Sequence, residues 1–197
     1  MAPVKVKQME IGTKVDMGKI TATLSAFQMS HPSYTTDSVT NYYALNTKVR
    51  ARGLELNVFG EPVKGTRVLG GLMLLDSKFT KDSSSDKLKG NRFEGTARVN
   101  ATLGVDQDIK SVAGLSVSTR LNYTGSAYAN NANTVKTNGY FTWDLGTRYT
   151  WKAGNTPMTV RADVYNVLNK SYWNSLHSNG VIIGNGRTFM LSLTASL

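Results

Sequence analysis

Along most of the chain, apolar and polar residues alternate one by one. Met9, Ile11, Thr13, Val15 and Met17 would share one face of an extended strand, and Gln8, Glu10, Gly12, Lys14 and Asp16 the other. The same period returns in Ile20 to Ala26, in Val99 to Val105, in Leu115 to Tyr123, in Phe141 to Trp151 and in Phe189 to Leu197. It predicts nine strands, near 7–17, 19–30, 43–60, 65–79, 92–106, 113–125, 139–152, 156–168 and 187–197. The third is expected to hold a bulge near Gly53, because its polar positions change parity there. A globular strand is usually about 5–6 residues long, whereas a tilted strand needs roughly 9–11 to cross a bilayer. These runs match the second figure.

The connections alternate too. Those near 16–19, 60–65, 106–112 and 152–156 are short, and those near 31–42, 80–91, 126–138 and 169–186 are long and rich in Ser, Asn, Gly and Tyr. Tight turns at one end and long loops at the other mark an outer-membrane barrel. Asp16-Met17-Gly18-Lys19 and Gly60-Glu61-Pro62 supply ordinary turn chemistry. The expected fold class is therefore all-β, a portion of an antiparallel transmembrane β-barrel. Nine strands would run from the long-loop end at the start to the short-turn end at the finish. A single-chain bacterial barrel instead has an even strand number and both termini in the periplasm. A nine-strand sheet would also expose two unpaired edges to lipid. Residues 1–197 are thus expected to be the C-terminal segment of a larger barrel.

Composition narrows the chemistry. Charged residues make up only 18%, too few for the outer faces of a soluble helical protein, and 9% aromatics with 18 glycines speak against disorder. The absence of cysteine excludes disulfides, thiolate zinc sites and a cysteine nucleophile. His31 and His177, both in predicted long loops, are too few for a metal site. No apolar run approaches the roughly 18 residues of a membrane helix, and the start MAPVKVKQMEIG has no signal-peptide core. No G-x-S-x-G elbow occurs, and Gly184-Asn185-Gly186 precedes a strand, which makes it no phosphate cradle. The acids are spread over many strands and do not converge on one bond, so no enzyme is expected. The net charge of +10 comes from dispersed residues, which argues against a nucleic-acid partner.

In a barrel, the polar face points into a wet lumen. That assigns Glu10, Lys14, Arg98, Arg120, Asp144, Arg148, Arg161 and Asp163 to the lumen, pairing with one another or with a plug. Phe59, Tyr149 and Trp151 fall near short turns, and Tyr42, Tyr43, Tyr140, Phe141, Tyr172 and Trp173 near long loops. That placement suggests two aromatic girdles.

Several stretches carry a resemblance to a known family. Lys7 to Lys14 reads K-x-x-E-x-G-x-K, Arg52 to Glu55 reads R-G-(hydrophobic)-E, and Asp144 to Tyr149 reads D-L-x-x-x-Y. Val164 to Trp173 reads V-x-N-(hydrophobic)₂-(D/N)-K-x-Y-W, and Gly186-Arg187 opens a closing strand. In these motifs and their order the chain resembles the C-terminal barrel of TonB-dependent outer-membrane receptors, most of all the ferric-siderophore group. The resemblance implies a barrel of about 22 strands with a plugged lumen, whose plug, TonB box and first half are not in this chain. It implies no catalysis and no bound cofactor, the transported ligand being a ferric-siderophore complex. The implied partners are that complex, outer-membrane lipid and lipopolysaccharide, and the barrel-assembly machinery, which reads the last strand. The family usually ends in Phe, and here Leu197 stands at that place. TonB would be met only through the plug. The implied location is the outer membrane of a Gram-negative bacterium, where positive loops suit anionic ferric complexes and lipopolysaccharide phosphates. External aromatics in this family often contact the siderophore, which points to Tyr128, Tyr172 and Trp173.

Two other readings remain open on the residues alone. A small stand-alone outer-membrane barrel or pore, closed by self-association, would give one defined conductance. A soluble basic β-protein binding nucleic acid or polysaccharide would dissolve without detergent and bind nucleic acid in a salt-dependent way.

Overall fold

A computed structural model describes residues 3–37, 39–82, 87–176 and 180–196. The strands are β1 (Lys7–Asp16), β2 (Ile20–Thr36), β3 (Tyr43–Val63), β4 (Thr66–Lys81), β5 (Val99–Asp108), β6 (Leu115–Thr124), β7 (Ala127–Tyr128), β8 (Lys136–Thr137), β9 (Tyr140–Ala153), β10 (Thr156–Tyr165), β11 (Trp173–Leu176), β12 (Gly180–Ile183) and β13 (Thr188–Ala195). Nine of them form one antiparallel sheet in the order β1-β2-β3-β4-β5-β6-β9-β10-β13. The remaining four make two small hairpins, β7–β8 and β11–β12, inside the long loops. Every residue of the edge strands β1 and β13 is exposed.

The pairing register explains why alternation was visible. Ile11 lies opposite Ala26, Ala26 opposite Leu54, Leu54 opposite Leu74 and Leu74 opposite Val99. Farther along the sheet, Thr119 faces Leu145, Leu145 faces Val164 and Val164 faces Phe189. One face is thus apolar from edge to edge, and its side chains are exposed: Ile11 by 77%, Leu103 by 56% and Leu191 by 75%. Among the described residues no large side chain is fully buried. An apolar surface of this extent marks contact with a nonaqueous medium or a partner. Two polar groups on this face satisfy each other, Trp143 Nε1 donating to Thr119 Oγ1 at 2.7 Å. Tyr149 and Trp151 stack at its short-turn end with ring centroids 5.6 Å apart.

Several expectations are corrected. β2 continues six residues beyond 30, so His31 stands in a strand opposite Val49 and not in a loop. β3 passes through Gly53 without a bulge; its register shifts lie at Lys48/Val49 and Gly60/Val63. The polarity changes at 50–52 because β3 rises past the apolar band, not because the faces swap. Gly60-Glu61-Pro62 stays within β3, and the turn follows at 64–65. The fifth strand begins at Val99; residues 92–98 form a loop in which Gly95 takes a φ of 69°. The eighth strand ends at Tyr165. Phe59 and Tyr140 belong to the polar face by register and so leave the girdles. His177 and Leu197 lie outside the described residues.

At the long-loop end, Val49, Phe79, Ala97, Ala127 and Ala129 form the buried apolar patch. The loops 87–98 and 125–139 clasp one another over it. Asn91 Nδ2 donates to Asn131 O at 3.0 Å, Arg92 N to Asn133 Oδ1 at 2.8 Å, Asn133 Nδ2 to Arg92 O at 2.8 Å, and Gly95 N to Tyr128 O at 2.8 Å.

Candidate functional site on the polar face

The face opposite the apolar one gathers the charged side chains. Across its middle, Gly104 lies opposite Arg120 and Arg120 opposite Asp144. Below, Arg67 lies opposite Asp106, Asp106 opposite Ser118, Ser118 opposite Gly146 and Gly146 opposite Asp163. A cavity of about 390 Å³ opens here, lined by Arg67, Asp106, Arg120, Asp144, Arg161 and Asp163. Gly146 makes room for it, since a Cβ there would meet Asp163 Oδ1 at 2.5 Å and Ser118 Oγ at 2.6 Å. Of the sequence-predicted residues, Arg120, Asp144, Arg161 and Asp163 come together in this cavity. Arg148 lies just below, opposite Ser116 and Arg161. Glu10 on β1, opposite Phe27, and Arg98, just before β5, share the polar parity but stand apart from the cavity.

The short-turn side of the cavity is a closed ion network. Arg67 Nε donates to Asp106 Oδ1 at 2.8 Å, its Nη1 to Asp108 Oδ2 at 3.2 Å, and its Nη2 reaches both carboxylates. Ser116 Oγ donates to Asp108 Oδ1 at 2.8 Å and accepts from Arg148 Nη2 at 3.0 Å; Arg148 also lies 3.5 Å from Asp106. Two arginines and two aspartates thus hold β4, β5, β6 and β9 together, a forked geometry that only guanidinium provides. Arg67, Asp106 and Asp108 were missed in the sequence. The alternation that places Arg98, Asn100, Thr102 and Gly104 on this face runs on through Asp106 and Asp108, which the short-turn reading had claimed.

The long-loop side is closed by the Val164–Trp173 motif. Asn166, 4% exposed with φ 51°, accepts and donates in four directions. Its backbone N–H donates to Asp144 Oδ1 at 2.9 Å, its Nδ2 to Lys170 O at 2.9 Å and Asn185 O at 3.0 Å, and its Oδ1 accepts from Lys170 N at 2.9 Å. Asn169 Oδ1 accepts from Arg187 N, and Arg187 Nε donates to Val167 O, both at 2.9 Å. The ring of Tyr172 stacks on Tyr140 with centroids 3.9 Å apart. A Cβ at Gly184 would run into that ring, so the glycine is required by the close approach. Burial, with Tyr140 and Asp144 nearby, raises the Tyr172 phenol above its ordinary pKa.

The three loop aromatics differ in their surroundings. Trp173, opening β11, is 54% exposed. Tyr172 is half-buried against Tyr140, and Tyr128 sits half-buried in β7, its carbonyl held by Gly95. The side chains of Arg120, Arg161 and Asp163 make no hydrogen bond or ion pair among the described residues.

Comparison with known proteins gives this architecture a family. The family model described as "TonB dependent receptor-like, beta-barrel" matches residues 1–167. The ferrichrome receptor FcuA of Yersinia enterocolitica is 41% identical over 191 residues, covering 97% of this chain and 25% of the relative. The crystal structure of BauA, the ferric preacinetobactin receptor of Acinetobacter baumannii, superposes with a TM-score of 0.87 at 35% identity, over 99% of this chain and 30% of that one. The siderophore receptor PiuA of the same organism shares the fold, with a TM-score of 0.81 at 23% identity, over 95% of this chain and 28% of that one. The chain spans about a quarter of the length of the curated relatives it matches.

Proposed function

The chain belongs to the TonB-dependent receptor β-barrel family, and from that premise we propose that it forms the C-terminal nine strands of an outer-membrane receptor for a ferric siderophore. The observation that carries this reading is the separation of faces: nine strands, apolar on one side throughout, with a charged network on the other and both edges unpaired. The apolar face meets lipid, and the polar face lines the lumen, where Glu10, Arg98, Arg120, Asp144, Arg148, Arg161 and Asp163 are wetted or paired. The edges β1 and β13 join the strands that complete the barrel.

Two relatives carry different ligands in their names, ferrichrome and preacinetobactin. Their common denominator, a ferric siderophore, is therefore the substrate class. It is bound at the long-loop end, with Trp173 as the exposed contact, Tyr172 held ready by Tyr140, and Tyr128 at the neighbouring loop. The protein moves its ligand without covalent chemistry. TonB acts through a plug seated in the lumen, lipopolysaccharide and lipid surround the apolar face, and the assembly machinery reads the last strand.

Iron-starved cells provide the test. An antibody against residues 140–197 is expected to reveal a heat-modifiable outer-membrane band several times larger than 21.5 kDa, and deletion of the gene is expected to abolish uptake of at least one radio-iron siderophore. A band confined to the soluble fraction would overturn the proposal. An outer-membrane band at 21.5 kDa would replace it with the small stand-alone pore.

A further inference from the structure

Side chains of unlike charge that lie directly opposite in an antiparallel pair usually meet. On the polar face, Arg67 and Asp106 are opposite and do so. Arg120 on β6 and Asp144 on β9 are opposite as well, and both line the cavity. Yet no ion pair joins them, and the Arg120 side chain is exposed and makes no bond among the described residues. The Asp144 carboxylate is engaged elsewhere. Its Oδ1 accepts from the backbone N–H of Asn166 at 2.9 Å and its Oδ2 from Asn122 Nδ2 at 3.0 Å. Asn122 Oδ1 accepts in turn from Thr102 Oγ1 at 3.2 Å. Side-chain bonds thus run across β5, β6 and β9 to one carboxylate, which holds the foot of the last long loop.

What Asp144 holds is larger than one amide. The Asn166 side chain knots residue 166 to Lys170 and Asn185, so these segments move together. The knot leads directly to Tyr172, whose carbonyl accepts from Gly184 N at 2.9 Å. The Tyr172 ring lies on Tyr140, which stands four residues before Asp144 on the same face of β9. The knot is tied to β9 through Val167 N to Trp143 O at 2.7 Å and through Asn166 N to Asp144. The first acceptor is a backbone carbonyl, which carries no net charge. The second is a carboxylate with a guanidinium standing opposite it.

We propose that Asp144 is a positioning residue for transport, exchanging between Asn166 and Arg120. With Asn166, as in this structure, the knot sits on β9 and Tyr172 on Tyr140. With Arg120, the foot of the loop is released and a cation leaves the cavity for β9. The proposal rests on the receptor reading, in which Tyr172 meets the ligand and the cavity faces the way inward. A carboxylate gains modestly from a backbone N–H and modestly from a partly exposed guanidinium, so neither arrangement prevails by much. A ferric siderophore on Tyr172 and a change in the lumen beside Arg120 therefore act on one equilibrium from its two ends, and linkage makes their effects reciprocal.

The test uses the outer-membrane protein that carries this chain, at its natural length, in cells without other siderophore receptors. Radio-iron ferrichrome and radio-iron preacinetobactin are supplied separately. Binding to de-energised cells and the maximal uptake rate of energised cells are read for whichever complex the unsubstituted protein takes up. Asp144→Asn keeps an acceptor for Asn166 N and, with the Asn122 amide turned over, the bond to β6, but it leaves Arg120 no charge to claim. Asp144→Asn and Arg120→Gln are each expected to lower the maximal rate about fivefold or more while the dissociation constant moves less than about twofold. Arg120→Lys is expected to recover part of the rate, and the double variant to be no slower than either single one, since both remove the same exchange. Hydrogen exchange on the purified protein gives the direct view. The Asn166 amide is expected to lose protection when the siderophore is added, and to keep it in Arg120→Gln. An Arg120→Gln protein, which breaks no bond of this structure, with an unaltered rate and unaltered loss of protection overturns the exchange and leaves Asp144 a plain anchor. An unsubstituted protein that takes up neither complex overturns the substrate class on which the exchange rests.

Discussion

Two clusters of basic residues lie on opposite faces of the sheet, and they behave differently. On the polar face, Arg67 and Arg148 sit among Asp106, Asp108 and Ser116, and every guanidinium has a carboxylate in reach. On the apolar side, Arg50 lies opposite Lys78 and Lys78 opposite Arg92 of the following loop, with Asp76 as the one acid beside Lys78 among the described residues. The sequence charge of +10 counts both alike. Pairing separates them: the first cluster is satisfied within the chain and serves cohesion, whereas the second shares the single carboxylate of Asp76.

The sharpest way to probe the satisfied side is at its most enclosed member. Asn166→Ala removes the side-chain partners of Lys170 and Asn185 and replaces asparagine, which tolerates a left-handed φ of 51°, with a residue that tolerates it less well. It is expected to cost about 2–3 kcal/mol, read as a lowered urea midpoint of the folded barrel; an unchanged midpoint would deny the motif its structural role. Arg67→Ala comes next. The cluster is partly exposed, so the expected loss is about 1 kcal/mol, and Arg67→Lys should recover less than half because the fork is gone. A full recovery by lysine would show that charge alone matters there. Arg120→Gln and Asp163→Asn, whose charges meet no partner among the described residues, are expected to shift stability by less than about 0.5 kcal/mol yet to alter uptake of radio-iron siderophore. Neutral behaviour in both assays would make the cavity a plain solvated wall. Smallest of all, Arg50→Gln is expected to leave the midpoint unchanged or raise it by a few tenths of a kcal/mol, since it relieves repulsion with Lys78. A clear drop would place Arg50 with the cohesive cluster and erase the contrast.

What could be read from the chain followed from one physical rule, that a strand between two media must alternate. Wherever β1, β5, β6, β9, β10 and β13 lie within the apolar band, the period is clean and the strands were found. Above the band the rule lapses, because both faces are wet. Hence the sequence His31-Pro32-Ser33-Tyr34-Thr35-Thr36 looked like loop although it continues β2. Pro32 is tolerated there because β1 stops pairing at Ser30, so no ladder bond is lost on that side. The same lapse made Arg50 and Arg52 look like a change of parity at Gly53. The hairpins β7–β8 and β11–β12 are too short to show any period. Of the polar face, single-strand alternation gave the right parity for Arg120, Asp144, Arg148, Arg161 and Asp163. It could not give their neighbours, which depend on register between strands. The cross-strand alignment of Lys7, Arg50, Lys78 and Arg92 is invisible in sequence for that reason, as they belong to four separate segments.

The clasp around Asn166 has a consequence for how such a protein can change over generations. It ties residues 166–170 to residues 185–187 at the foot of the last long loop, so what lies between is mechanically insulated from the strands on either side. Residues beyond Trp173 and before Gly184 can lengthen, shorten or be exchanged while β10 and β13 keep their register. The loop is therefore a cassette, whose sequence can be rewritten without rebuilding the wall that holds it.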